Sequence, residues 1–357
     1  MEIAIERIQN WTSGSLDLSW LGLTELPKLP AGLTKLWCHN NLLTGLPKTL
    51  PAGLIELHCH YNQLITLPDT LPATLTLLVC SFNRMTTLPD TLPVGLKELY
   101  CCSNQLTILP DTLPVGLTEL YCFYNQLTRL PNILPVTLKK LYCYENQLAT
   151  LPDTLPVGLT ELECSNNRLT MLTEHLPVSL KRLFCNKNHL AMLPDILPVG
   201  LTALYCFDNL LTSLPEILPA GLTTLWCNNN WLTTLPDLLP ASLTQINCDG
   251  NRLSMLPETL PVNLKELSCC DNQLTTLPKI LPAALTIFYC KNNNIPDMED
   301  NESNDHYVAR VNAIAEAVSK ERFTQRCALF FEELAQKVWH PDCVEKRMLA
   351  GIDMEDM

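Results

Sequence analysis

The chain has 357 residues, 47% of them hydrophobic and only 6% aromatic, and a formal net charge of −13. An acidic balance with no basic stripe argues against a nucleic-acid partner, and no apolar run approaches the roughly 20 residues that cross a bilayer. The opening MEIAIERIQNW lacks the basic-then-apolar order of a secretory leader, so a soluble, cytoplasmic chain is expected, with no membrane partner.

Residues 1–15 come first, and Ile3, Ile5, Ile8 and Trp11 among them are expected to cover the exposed first turn of a repeat array. Residues 16–27, LDLSWLGLTELP, form an atypical first unit with Leu21 where later units carry asparagine, 20 residues ahead of Asn41. From Asn41 to Asn293 an asparagine then recurs every 21 residues, thirteen times, without a slip. A fixed period of this length is the mark of a stacked solenoid, which buries a core between neighbouring turns.

The unit reads L-x-x-L-x-C-x-x-N-x-L-T-x-L-P-D-x-L-P-x-x, as at Leu120, Cys122, Asn125, Leu127, Leu130 and Pro131. Alternation points Leu120 and Cys122 inward and Tyr121 outward, so stacked copies should form a parallel sheet. Thirteen of the seventeen cysteines, Cys38 to Cys290, keep this register. Free cysteine behaves as a small buried hydrophobe, and the column is read as core packing in a reducing compartment. Each asparagine is assigned to satisfying main-chain groups at the bend after the strand. Two Leu-Pro pairs per unit, such as Leu109-Pro110 and Leu113-Pro114, disfavour helix on the return and favour extended backbone. The acid after the first proline (Asp69, Asp90, Asp111, Asp153, Asp195, Asp237) is expected to close a local turn through its side chain. At Leu172-Thr173 the proline is missing.

The outward column between the second leucine and the cysteine carries the candidate site. It runs from Trp37 to Tyr289 and holds eight aromatic residues in thirteen positions. Trp37, Tyr100, Tyr121, Tyr142, Phe184, Tyr205 and Trp226, with Phe123, Tyr144 and Phe207 beside them, form the predicted partner-binding ridge, since aromatic side chains are enriched at binding hot spots. The competing reading is a self-stacking ladder that stiffens the sheet. Glu56, Glu98, Glu119 and Glu161 flank the ridge and favour a partner with basic residues. His39, His58 and His60 share one face and His306, Cys327, His340 and Cys343 recur in the tail, but neither spacing argues for a metal over ordinary surface and core roles. Cys102 and Cys270 are expected to face outward and to be the most reactive thiols, without a nearby histidine base. No catalytic constellation and no cofactor motif is present in the sequence, so no enzyme activity is expected.

After Pro296 the register stops. Residues 296–304 read as an acidic linker and 305–357 as an α-helical module: a first helix through Val308, Val311, Ala315 and Val318, a second through Phe323, Cys327, Phe330, Leu334 and Val338, and a short third opened by Pro341 and ending near Gly351.

The segment LDLSWLGLTELPKLPAGLTKLWCHNN and its successors, over about residues 16–295, resemble the repeats of bacterial type-III-secreted leucine-rich-repeat effectors. The expected architecture is therefore an α/β-type repeat solenoid, a leucine-rich repeat with a parallel concave sheet and an extended, polyproline II-like convex side, plus a small all-α C-terminal module. Some such effectors carry a cysteine-dependent ubiquitin-ligase domain after the repeats; the residues left here are too few for it. The tail FFEELAQKVWHPDCVEKRMLAGID resembles a C-terminal element of giant-DNA-virus proteins. Together the resemblances imply a viral leucine-rich-repeat protein that acts in host cytoplasm or travels in the particle. The function expected is a protein–protein interaction scaffold that binds a host protein through the concave aromatic face. The alternatives are a ubiquitin-pathway adaptor whose tail recruits a ligase, and a structural virion component.

Overall fold

The computed structural model describes residues 1–299 and 302–339. Helix α1 (Glu2–Gln9) precedes β1 (Gly14–Asp17) and β2 (Leu33–Trp37), and three-residue strands follow from β3 (Glu56–His58) to β14 (Ile287–Tyr289). All fourteen strands form one parallel sheet in chain order. Neighbouring strands pair 21 residues apart, Leu99 against Leu120, so like residues stack on like. The first pair departs from this: Leu16 lies against Leu36, with a register slip between Gly14 and Ser15. The atypical first unit is therefore a true rung, one residue short.

The strands are short because the chain turns sharply after each cysteine. The residue before each ladder asparagine is left-handed, with φ between 49° and 56°, or 60° at Gly250. For a side chain such as Tyr61 or Phe82 that conformation costs on the order of 1 kcal/mol. The asparagine offsets it. Asn125 Nδ2 donates to the carbonyls of Cys101 and Cys122 at 3.0 Å and of Phe123 at 3.2 Å, and its Oδ1 accepts from Leu106 N–H at 3.0 Å. One buried amide thus answers main-chain groups of two successive turns that solvent cannot reach.

The inward leucines and cysteines are buried in one continuous core, Leu120 and Cys122 completely. The cysteines of the described residues are all free. Several use their thiol as a weak donor to the next turn, as Cys164 Sγ does to Phe184 O at 3.3 Å and Cys248 Sγ to Ser268 O at 3.2 Å. Burial pushes these thiols up, Cys59 to about 12, which keeps them protonated and inert.

No return segment is helical; each runs as irregular backbone broken by bends and one turn. Leu117 N–H donates to Pro114 O at 2.9 Å, and the same contact closes the corner into each strand from β2 onward. The acids after the first proline do not close turns as expected: their carboxylates are exposed and, among the described residues, make no bond to main chain, and only Asp111 has a partner there, Arg129, at 3.0 Å. The preceding proline already fixes the local backbone, so no Asx bond is needed. At Thr173, where that proline is missing, the hydroxyl is buried without a partner.

Both ends are covered. At the start, Ala4 is buried and Ile8 and Trp11 pack on the core, while Ile3 and Ile5 stay exposed. The segment is helical, so residues 4 and 8 share a face that 3 and 5 do not. At the other end α2 (Asn304–Trp339) is one 36-residue helix where two were expected. The intervening Ser319-Lys320-Glu321-Arg322 holds neither glycine nor proline to interrupt it. Tyr307, Val308 and Val311 join the core, Tyr307 Oη donates to Pro296 O at 2.8 Å, and Asn312 Oδ1 accepts from Leu277 N–H at 3.1 Å. A helix asparagine here serves main chain of the array, much as the ladder residues do. The expected third helix near 341–351, with His340 and Cys343, lies outside the described residues.

Candidate interaction surface

Three side-chain columns cover the concave sheet. The central one carries the predicted ridge, and its rings stack on each other. Tyr100, Tyr121 and Tyr142 lie nearly parallel with centroids 4.5 and 4.7 Å apart. Phe184 and Tyr205 stack at 4.6 Å, and Trp226 meets Tyr205 edge-on at 5.2 Å. One column over, Phe123 and Tyr144 stack at 4.4 Å, and Phe207 leans on Trp226 at 6.2 Å. Trp37 stands apart, tilted against His58 at 6.1 Å, because Val79 separates it from the tyrosines. Parallel strands in register leave rings of successive turns near stacking distance, so identical neighbours stack face to face.

The glutamate row beside the ridge is engaged within the molecule. Tyr121 Oη donates to Glu119 at 2.9 Å, Tyr100 Oη to Glu98 at 3.1 Å, and Tyr142 Oη to Glu161. Burial and these carboxylates push the three phenols up. Lys140 pairs with Glu119 at 3.0 Å, Lys35 with Glu56 at 2.7 Å and Arg182 with Glu161 at 3.5 Å.

Between Tyr100 and Trp226 the ridge has one gap. Glu163 replaces an aromatic residue between Tyr142 and Phe184, with small or short polar groups, Ser165 and Asn186, beside it. A trough of about 500 Å³ opens there, walled by Tyr121, Phe123, Tyr142 and Tyr144 on one side and Phe184, Tyr205 and Phe207 on the other. Seven of the ten predicted ridge residues therefore face one depression; Trp37, Tyr100 and Trp226 do not. Ser165 and Asn186 are buried and bonded to each other at 2.7 Å. Burial raises the Glu163 carboxyl, which accepts from Ser165 N–H at 3.2 Å. Among the described residues no cation pairs with it. The sequence did not single out Glu163; the run of rings on both sides was the signal.

Cys102 is not outward and reactive as expected. It is 2% exposed and its thiol is pushed up to about 12, chiefly by burial. It belongs to the column of Phe123 and Tyr144, whose larger rings cover small neighbours. Cys270 is partly accessible, but burial and the nearby Asp249 carboxylate raise its thiol as well.

His39 and His60 are stacked at 4.4 Å with rings 6° from parallel, and His58 meets His60 edge-on at 6.2 Å. Ring lone pairs of stacked imidazoles run parallel rather than toward one point. Among the described residues His39 Nδ1 and His60 Nδ1 are buried without hydrogen-bond partners, and His58 Nε2 has no hydrogen bond but lies 3.7 Å from the Glu56 carboxylate. Burial lowers all three imidazoles, His60 to about 4. The unfolded chain therefore takes up protons first as pH falls below the ordinary histidine value of 6.5. Stability should be full above that value and decline as pH drops toward about 4. Urea midpoints at pH 7.5 and 5 are expected to diverge more for the wild type than for His60→Asn; equal slopes would rule the histidine contribution out. In the tail, His306 bonds Glu302 at 2.8 Å. Cys327 lies on the same helix about 30 Å further along, so these two cannot share a ligand.

No family model and no curated protein matches the chain. Solved structures do. YopM from Yersinia pestis, described as a leucine-rich effector protein, aligns over 85% of this chain and 91% of its own at 32% identity, TM-score 0.69. YopM from Yersinia enterocolitica WA-314 aligns over 82% of this chain and 77% of its own at 32% identity, TM-score 0.58. The functional domain of InlJ from Listeria monocytogenes, described as including a cysteine ladder, aligns over 80% and 64% at 29% identity, TM-score 0.71. With the 21-residue rungs, the asparagine ladder and the parallel sheet in chain order, these likenesses establish that the chain belongs to the leucine-rich-repeat family.

Proposed function

We propose that this chain is a non-catalytic protein-binding module that seats a basic side chain of its partner in the concave trough around Glu163. The observation that carries the reading is a partly buried carboxylate, without a cation among the described residues, ringed by aromatic walls. A lysine or arginine entering there would pair with Glu163 and lie against the ring faces of Tyr142, Tyr144, Phe184 or Phe207, two attractions that strengthen as water leaves. The flanking glutamates carry little of this preference, since Glu56, Glu119 and Glu161 already have cationic neighbours. Rigid stacking of the rings supports the same reading, because side chains already held in place lose little entropy on binding.

A displayed random-peptide library selected on the full chain tests it. Selected peptides are expected to be rich in lysine or arginine, and Glu163→Gln should weaken them by about tenfold or more. The fold should tolerate that change, because a buried charge is relieved. Peptides without a basic preference, or ones indifferent to Glu163→Gln, would sink the proposal.

A further inference from the structure

A second surface runs along the corner where each return segment turns back into a strand. Six consecutive units place valine there, Val94 to Val199 in steps of 21, and each is 70–81% exposed. A neighbouring column, three residues earlier in the unit, holds Ile133, Ile196, Ile217, Leu238 and Ile280, equally open, with Thr154, His175 and Thr259 interrupting it. Scattered exposed aliphatics are ordinary, but two aligned rows present on the order of 1,000 Å² of apolar surface, enough for a specific interface.

Beside the isoleucines lies the acid row. Of the twelve residues from Lys48 to Lys279 in steps of 21, nine are Asp or Glu, and all nine are exposed. Among the described residues only Asp111 is paired. Asp111, Val115, Ile133 and Val136 line one cavity of about 650 Å³ between two rungs, so the acidic and apolar rows are contiguous. On the strand side of the valines, Lys97, Lys139 and Lys181 reach over Gly116, Gly158 and Gly200, where a Cβ would stand 2.5–2.8 Å from each ammonium. The stripe thus has an acidic flank on one side and a basic flank on the other.

We propose that this edge docks an amphipathic helix of a partner, its apolar face along the valine–isoleucine stripe and its basic flank on the acid row. An α-helix climbs 5.4 Å per turn, close to the roughly 4.8 Å between rungs. Apolar residues one turn apart therefore meet successive rungs nearly in step over several turns. Same-face residues of an extended strand, about 6.8 Å apart, fall out of step at once. The net charge of −13 and the unpaired acid row oppose a second copy of the chain and an anionic membrane alike. The surface is separate from the concave trough and stands or falls without it.

The test titrates the full chain into a fluorescein-labelled leucine/lysine amphipathic helix of about five turns, read by anisotropy, with a leucine/glutamate helix of the same pattern alongside. The leucine/lysine peptide is expected to bind and the leucine/glutamate peptide not to. The triple variant Asp195→Asn, Glu216→Gln, Asp237→Asn should weaken binding about tenfold and flatten its salt dependence. Val157→Ser with Val178→Ser should weaken it as much; these residues are exposed, so a thermal melt should match the wild type. Glu163→Gln should leave it unchanged. Wild-type affinity in either surface variant, or equal binding of the two peptides, would overturn the proposal. So would loss in Glu163→Gln, which would move the peptide to the trough. A dimer by sedimentation that Val157→Ser with Val178→Ser dissolves would make the stripe a self-interface, and binding to phosphatidylserine vesicles lost in that variant would make it a membrane contact; either result overturns it.

Discussion

Asn167→Ala is expected to cost the fold roughly 3–5 kcal/mol, since each buried main-chain group left unpaired loses about 1–3 kcal/mol. Asn167 is the seventh of the thirteen ladder asparagines. Its Nδ2 donates to the carbonyls of Cys143, Cys164 and Ser165 at 3.0, 3.1 and 3.1 Å, and its Oδ1 accepts from Leu148 N–H at 2.9 Å. Alanine removes all four bonds at a site that is buried, where water cannot replace them. Because a solenoid is held together by nearest-neighbour contacts, the damage lies between two halves of the array. Urea unfolding should therefore show a lower midpoint and a broader or split transition. The same change at Asn293, which is only partly buried at the end of the ladder, should cost less. A midpoint for Asn167→Ala equal to that of the wild type would mean that the ladder is ornamental and the leucine core alone carries the fold.

Tyr121→Ala combined with Tyr142→Ala separates binding from stiffening. Two ring stacks disappear, at 4.5 and 4.7 Å, along with the hydroxyl bonds to Glu119 and Glu161. Stacking of this kind is worth about 0.5–1.5 kcal/mol per pair, so a stability loss of about 1–3 kcal/mol is expected. Affinity for peptides selected on the trough should fall by about a hundredfold or more, the size typical of paired aromatic hot spots. The matched pair Tyr121→Phe and Tyr142→Phe keeps the rings and should hold most of both quantities. Lost stability with unchanged affinity would leave the ridge as a stiffener alone.

Periodicity made most of the fold legible before any coordinates. The 21-residue step places Leu120 over Leu99 whatever the details, because stacking is the only way so short a unit can hide its leucines. The helix-free return came from the paired prolines, and the ladder role of Asn125 from a polar residue recurring in a buried register. Where local chemistry was the sole guide, reading went astray. Asp69 and its counterparts have the right side chain for an Asx turn, yet the adjacent proline already holds the backbone. The left-handed residue before each asparagine left a partial trace in residue type: seven of the thirteen are asparagine, aspartate or glycine, which tolerate that conformation best, but tyrosine, lysine and glutamate stand there too.

The sequence by itself determined the turn, the strand register, the thiol and amide columns, and which columns would carry rings, since spacing alone dictates each of them. Tertiary structure decided accessibility. Cys102 is buried because the rings of its own column overhang it, Glu119 is neutralised because Lys140 arrives from the next turn, and Glu163 becomes the floor of a trough because its neighbours on both sides are large. Those outcomes depend on how the side chain one rung away is sized and charged, and in a solenoid that neighbour is 21 residues distant in the chain.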